Sequence, residues 1–464
     1  MFLAFNRSRK VLGGLAAIAL VASACSSSTA TATPATSPTT AASTVASAPA
    51  SSPAAGATAC GTAPVTLSAY FETGFQIPFS ETAEFTKEFP NVTFNITSDQ
   101  YANISTSAAR LLASDTPPDL IRLPTVVSLV KDKLLKNLDS YATTYGWDKW
   151  PASELLQNRV SATGERGSGS LYAFGLNYSM TGVFYNKKLA TQIGMTTPPT
   201  TVADFEALLA KAKDAGITPI MQWNASKSGG GLVFPLQDLM ASYGPTQPIN
   251  DWVFDKAGAT IDTAANLTAT QHLETWIKNG YFPSDVNSIE YADANTRFTS
   301  GKALFLFNGD WSNADMDKNA AGNVGFFVFP SATAGGSFGT MASPLQYGIA
   351  ASAKHADCAA FFFNWVATNA AARQINVTIG GSNPGGPADL PVPPAASGSV
   401  TNETLAVGPA IAKANGQMDF IANATGSIYA SGWTPELQKM VGGKETAAGL
   451  LKAVQAEYVK EQNQ

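Results

Sequence analysis

The chain has 464 residues, of which 45% are apolar and only 14% charged, and its 29 basic and 34 acidic side chains leave a net charge of −5. A modestly acidic balance argues against nucleic acid and against anionic lipid as partners. The length exceeds one ordinary hydrophobic core and points to two lobes.

The N-terminus reads as an export signal. Arg7, Arg9 and Lys10 precede an apolar run, Val11 to Ala22, that is too short to span a bilayer. The run closes in Leu20-Val21-Ala22-Ser23-Ala24-Cys25, which is similar to a bacterial lipobox, although Ala22 stands where Leu is commoner. Residues 1–24 are then a lipoprotein signal peptide and Cys25 the lipidated first residue; the alternative is ordinary secretory cleavage beside an incidental cysteine. Residues 25–59 form a tether. Ser26 to Thr58 are almost wholly Ser, Thr, Ala and Pro without a charge, and cannot bury enough apolar area to repay their ordering entropy. Loss of Arg7, Arg9 and Lys10 takes the net charge from −5 to −8. With Cys25 carrying lipid, Cys60 and Cys358 remain as an even pair in an oxidising compartment. They are expected to bridge, closing a loop of about 300 residues; two free thiols are the alternative.

Val65 to Phe71 alternates as a strand does, and Ser80 offers an N-cap for a stripe of Ala83, Phe85 and Phe89 that Pro90 stops. Val92, Phe94 and Ile96 alternate again, a helix is predicted over 103–113, and Asp119-Leu120-Ile121 begins a third strand. Strand, helix, strand, helix, strand implies an open, mostly parallel α/β sheet. The pattern returns with a strand at Gly182 to Tyr185, a helix capped by Thr201 with Asp204, Gly216 beyond its end, and a strand from Pro219. Two such α/β lobes, each binding at the carboxyl ends of its strands, would face each other across a cleft.

The order of segments resembles the extracellular solute-binding proteins of sugar importers, relatives of maltose-binding protein, over nearly all of 64–460. It is carried by Glu84-Phe85-Thr86-Lys87-Glu88-Phe89-Pro90, Thr116-Pro117-Pro118-Asp119-Leu120-Ile121 and Gly182-Val183-Phe184-Tyr185-Asn186-Lys187. Pro198-Pro199-Thr200-Thr201, Gly216-Ile217-Thr218-Pro219-Ile220 and Asn279-Gly280-Tyr281 follow. Phe298-Thr299-Ser300-Gly301-Lys302-Ala303-Leu304, Asn308-Gly309-Asp310-Trp311, Gly348-Ile349-Ala350 and the aromatic segment Ala359 to Val366 complete the series. The resemblance implies a periplasmic-binding-protein-like fold whose chain crosses between lobes near 173–178, near 329–331 and within 380–415. One lobe would hold 60–175 and 331–415, the other 176–330 and 416–464, which puts Cys60 and Cys358 in the same lobe. It further implies a monomer on the outer face of the cytoplasmic membrane, touching the membrane only through its lipid anchor. Such a protein would hand a carbohydrate to the permease subunits of an ABC importer, with no cofactor.

A sugar site needs flat aromatic faces and planar polar groups. Trp311 follows a strand end and aligns with a sugar-stacking tryptophan of the family, against the alternative of capping the lobe core. Asp310 beside it would accept hydroxyl hydrogen bonds or be a solvated turn residue. Trp223 follows the strand 220–222 and leads toward Gly229 to Gly231. Trp433 precedes a predicted helix where the family places a binding aromatic. Glu72 after the first strand, and Gln346 with Tyr347 before Gly348, are rim candidates. Arg122, after the third strand, would bind an anionic or hydroxylated group or lie on the surface. Trp147, Trp150, Trp252, Trp276 and Trp365 read as structural.

Gly335-Gly336-Ser337-Phe338-Gly339 matches a nucleophile-elbow pattern, but the extended segment 341–351 follows it instead of a helix, so it reads as a turn. With two histidines in the chain, no Cys/His metal spacing and no phosphate-cradling loop, no catalytic metal and no enzyme activity are expected. The rival readings are a polyamine or other non-sugar solute bound in the same fold, and a secreted glycoside hydrolase using two carboxylates.

Overall fold

The computed structural model describes residues 59–463 apart from 151–154, 227–228, 321 and 388. The expected signal peptide, lipidation at Cys25 and tether over 26–58 lie outside these residues. Strand β1 (Val65–Glu72) is parallel to β2 (Val92–Asp99) on one side and to β3 (Leu120–Arg122) on the other. Helices Ile77–Glu88 and Tyr101–Leu112 make the crossovers that parallel strands require. The first of these starts at Ile77, ahead of the expected cap at Ser80. Pro78, in the first turn, has φ preset for a helix and lacks only an N–H that would go unused there.

Beyond the short hairpin of β4 (Arg159–Val160) and β5 (Ser170–Leu171) runs β6 (Phe174–Asn186), followed by β7 (Thr218–Met221), β8 (Ala303–Gly309), β9 (Val324–Phe327), β10 (Thr340–Ile349) and β11 (Gln417–Met418). The main sheet has the order β2-β1-β3-β10-β6-β8-β7, with β9 on β6 and β11 on β10. Two strands change partners along their length. β6 pairs with β10 from Phe174 to Met180 and with β8 and β9 from Thr181 onward. β10 begins beside β11 at Thr340 and ends beside β3 at Ile349, with a bulge between Pro344 and Gln346.

The hydrophobic interior divides at the same places. In the first half, residues of 60–176 and 345–372 form one core around Phe85, whose ring meets Phe89, Phe94, Phe361, Phe362 and Trp365, and residues of 108–173 with Ala350 form a smaller cluster that shares Ala353 with it. Residues of 183–329 and 400–458 form the core of the second half. The expected α/β fold of two lobes joined by crossing strands is present.

The expected lobe ranges differ from this packing in two places. Residues 331 and 332 stay with the second half, because the Val202 N–H donates to the Ser331 carbonyl (3.0 Å) and the Ala332 N–H to that of Ser242 (3.3 Å). The crossing is made by β10 instead. Helix Val400–Lys413 also packs on the second half, with Val400 and Ile411 buried in its core.

Helix Val202–Asp214 carries the expected capping box: the Asp204 N–H donates to the Thr201 hydroxyl, and the Thr201 N–H to the Asp204 carboxylate, both at 3.1 Å. Gly216 takes φ +71° just beyond it, the left-handed conformation that ends a helix. Cys60 and Cys358 are bonded, tying the chain ahead of β1 to helix Ala356–Thr368 inside one core. Among the described residues no helix is long and apolar enough to cross a membrane.

Candidate functional site

The candidate site lies where strand ends of the two halves come together, Tyr101 of the first beside Asn423 of the second, and the side chains of each half make one wall of it. On the first half, β1 ends in Glu72 and β3 in Arg122. The Arg122 Nε donates to Glu72 Oε2 at 3.1 Å, and both side chains are only 11% exposed. Burial raises the Glu72 carboxyl above its ordinary range, and the guanidinium partly offsets that. Arg122 also donates to the carbonyls of Leu123 and Gln346, and its charge lies 5.4 Å from the centroid of the Tyr101 ring. Tyr101 opens the helix after β2, and its hydroxyl stands 3.3 Å from Asn423 Oδ1 of the second half.

The second wall is aromatic. Trp223 follows β7, Phe234 lies in helix Val233–Tyr243, Trp311 follows β8, Phe420 follows β11, and Tyr429 begins the turn Tyr429–Trp433. Phe234 stacks on Phe420 (5.2 Å, 26°) and lies 5.2 Å from Trp223 and 6.0 Å from Trp311. Phe420 meets Tyr429 edge-on at 5.5 Å. The Trp311 indole donates to the Tyr291 hydroxyl at 3.0 Å, which fixes the ring plane. Gly309 is required beneath it, since a Cβ there would lie 2.0 Å from the Trp311 ring. Trp311, Phe420 and Tyr429 are half-buried, so each keeps some face open. Flat apolar faces beside a carboxylate, a guanidinium and a phenol suit a ligand with C–H faces and hydroxyls. Two cavities, of about 240 Å³ beside Glu206 and His272 and about 440 Å³ between Gln157 and Thr246, lie elsewhere and include none of these wall residues.

The pattern of the bacterial extracellular solute-binding protein family matches residues 68–373. The chain belongs to that family. A probable sugar-binding periplasmic protein of Rhizobium meliloti (strain 1021) is 26% identical over 215 residues, 45% of this chain. The chain spans about half the length (48%) of that curated relative. Among solved structures, a chitin oligosaccharide binding protein superposes with a TM-score of 0.71 at 21% identity, over 86% of this chain and 100% of the other. Maltose-bound MalE3 of T. maritima gives 0.64 at 16% identity, over 85% and 99%. At these identities the likeness is one of fold.

In this solute-binding protein, Glu72 and Arg122 are paired at the ends of β1 and β3, Trp311 is half-buried after β8, and Trp223 lies behind Phe234 at 2% exposure. Four expected site residues are turned elsewhere. Trp433 is fully buried, its indole N–H donating to the Ile421 carbonyl and its ring against Trp252, so no face is open to a ligand. Asp310 is 2% exposed and interacts with Ser179 and the Met180 backbone of β6 and with Ser382, so its carboxyl is turned into the crossing strand; burial raises it well above the ordinary range. Gln346 donates to the Gln157 carbonyl (2.9 Å) and to Asn158 Oδ1 (2.8 Å). Tyr347 is buried edge-on against Phe71.

Tyr101, Phe234, Phe420, Tyr429 and Asn423 were not foreseen. Tyr101 was within reach, because it follows a parallel strand just as Glu72 and Arg122 do. Phe420 was not: β11 has two residues and no alternating pattern to announce it.

Proposed function

We propose that this protein binds an uncharged carbohydrate between its two walls and delivers it to an ABC importer by closing about β6 and β10. The observation that carries the reading is the contiguous aromatic cluster of Trp311, Phe234, Phe420 and Tyr429, backed by Trp223, with Tyr101 of the other half beside Asn423 and Tyr429. Charges at the gap are already paired, Glu72 with Arg122 and Asp419 with Arg166. That supports a neutral ligand over a polyamine, whose ammonium groups would need free carboxylates. Glu72 is committed to Arg122 and Asp310 to the crossing strand, which supports binding over a glycoside hydrolysis that uses this pair of carboxylates. Family membership supports an extracytoplasmic location, and we include export with lipidation at Cys25 in the proposal.

The test is a thermal-shift screen of chitobiose, maltose and common monosaccharides, followed by tryptophan fluorescence. A sugar at a hundredfold excess over its dissociation constant raises stability by about 2.7 kcal/mol. Trp311→Ala should erase most of that shift while lowering the ligand-free melting point only modestly. Stabilisation by spermidine or putrescine, and by no sugar, would replace the carbohydrate with a cation.

A further inference from the structure

The two halves are joined by a closed circuit of polar contacts, hydrogen bonds except for the cation–π contact of Arg122 with Tyr101, that passes through one buried ion pair. Arg166 sits at the tip of the hairpin between β4 and β5, whose Val160 and Leu171 belong to the first half. Its Nη2 donates to Asp419 Oδ2 at 2.5 Å, and the two side chains are 2% and 1% exposed. Asp419 follows β11 on the second half, where its Oδ1 accepts from the Phe420 N–H (2.7 Å) and Asn423 Nδ2 (3.0 Å). Asn423 in turn accepts from the Tyr101 hydroxyl, over which Arg122 lies. Arg122 donates to the Gln346 carbonyl of β10, Gln346 to the Gln157 carbonyl, and Arg166 Nη2 to that same carbonyl at 3.0 Å.

Other ion pairs between the halves, Lys131 with Asp255 and Glu165 with Lys256, are a quarter to a half exposed, and water screens them. A buried pair differs. Its attraction is largely cancelled by the hydration both charges give up, so it adds little net stability, yet the planar guanidinium fork fixes direction.

We infer that Arg166 and Asp419 are positioning residues for the ligand cleft. Their pair holds the segment that carries Phe420 and Asn423 in register with Tyr101 and Arg122, and it narrows the range of opening between the halves. The inference rests on the cleft being the ligand site, but its first readout needs no ligand.

The informative variant is Arg166→Met/Asp419→Asn. Methionine puts an apolar end where the guanidinium lies over the Phe254 ring, and asparagine keeps an oxygen for the Phe420 N–H and Asn423, while both charges go. Spin labels at Ala109→Cys and Lys452→Cys, exposed on opposite halves of the full chain with Cys25→Ser, report the distance between halves by pulsed electron resonance. The double variant should melt within a few degrees of the parent yet show a broader, longer distance distribution without ligand. Its affinity for whichever of chitobiose or maltose stabilises the parent should fall at least tenfold. Arg166→Lys, which keeps charge but loses the fork, should fall between. An unchanged distance distribution would overturn the inference, as would a broadened one with unchanged sugar affinity. If neither sugar binds the parent, the distance distribution alone decides whether the pair holds the halves, and the carbohydrate reading is what has failed. If the double variant does not fold, Arg166→Lys carries the same two readouts.

Discussion

Trp311 and Trp433 are both tryptophans near strand ends, and their surroundings give them opposite roles. Trp433 is packed on all sides, so Trp433→Ala should cost about 3–5 kcal/mol in the ligand-free protein, read as a lowered denaturant midpoint. Trp311 keeps an open face, so its loss should appear chiefly in ligand binding. Asp238 is the residue that should register in pH dependence. It is fully buried in helix Val233–Tyr243, within 3.2 Å of the Thr340 hydroxyl of β10, and burial pushes its carboxyl up to about 8. Unfolded, the same carboxyl titrates near 4. Between those values the unfolded chain has released a proton that the folded protein keeps, so stability falls as pH rises and the loss is complete above about 8. Asp238→Asn mimics the protonated form. Its melting temperature should therefore gain on the parent's steadily from pH 5 to pH 8.5; a constant difference would show that Asp238 ionises normally.

Helix Val202–Asp214 is legible because its signals are local: a capping box, a stripe of Phe205, Leu209 and Ala212, and a glycine beyond the end. Thr201→Ala removes the acceptor for the Asp204 N–H and should cost about 1 kcal/mol in equilibrium unfolding. Helix Ile77–Glu88 misled at its start because two plausible signals, Ser80 and Pro78, lie two residues apart, and packing of Ile77 at 2% exposure settled the contest. The Cys60–Cys358 bridge spans a sequence separation of 298. On the loop-entropy account its removal in Cys60→Ser/Cys358→Ser should cost about 2–5 kcal/mol. Both sulfurs lie in the first half, so affinity for the cleft ligand should change far less than the melting point.

β6 and β10 each belong to both halves, so rotation of one half against the other bends two strands that stay paired from Ala342 with Met180 to Tyr347 with Phe174. Small-angle scattering should show a smaller radius of gyration once a binding sugar is added, because a ligand touching both walls binds the closed state better than the open one. An unchanged radius with a ligand proven to bind would mean that the protein is closed throughout. The packing boundaries fall inside β6 and β10, and the crossing expected near 173–178 lies at the start of β6.

Whatever depends on neighbours along the chain was determined by the sequence: alternation in β1 and β2, the capped helices, the repeated α/β pattern, and an even pair of cysteines. The carboxyl-end rule picks out Glu72 and Arg122, which end β1 and β3 on one side of a parallel sheet, and Trp311, which follows β8. Which aromatic is wall and which is core was decided only by the tertiary structure. Trp311 and Trp433 differ by what packs over them from residues far along the chain, and Phe234, Phe420 and Tyr429 become one surface only when three distant segments meet. Burial also gave Asp310 a role its neighbours could not foretell, since the cost of holding a charge away from water depends on everything around it and on nothing in its local sequence.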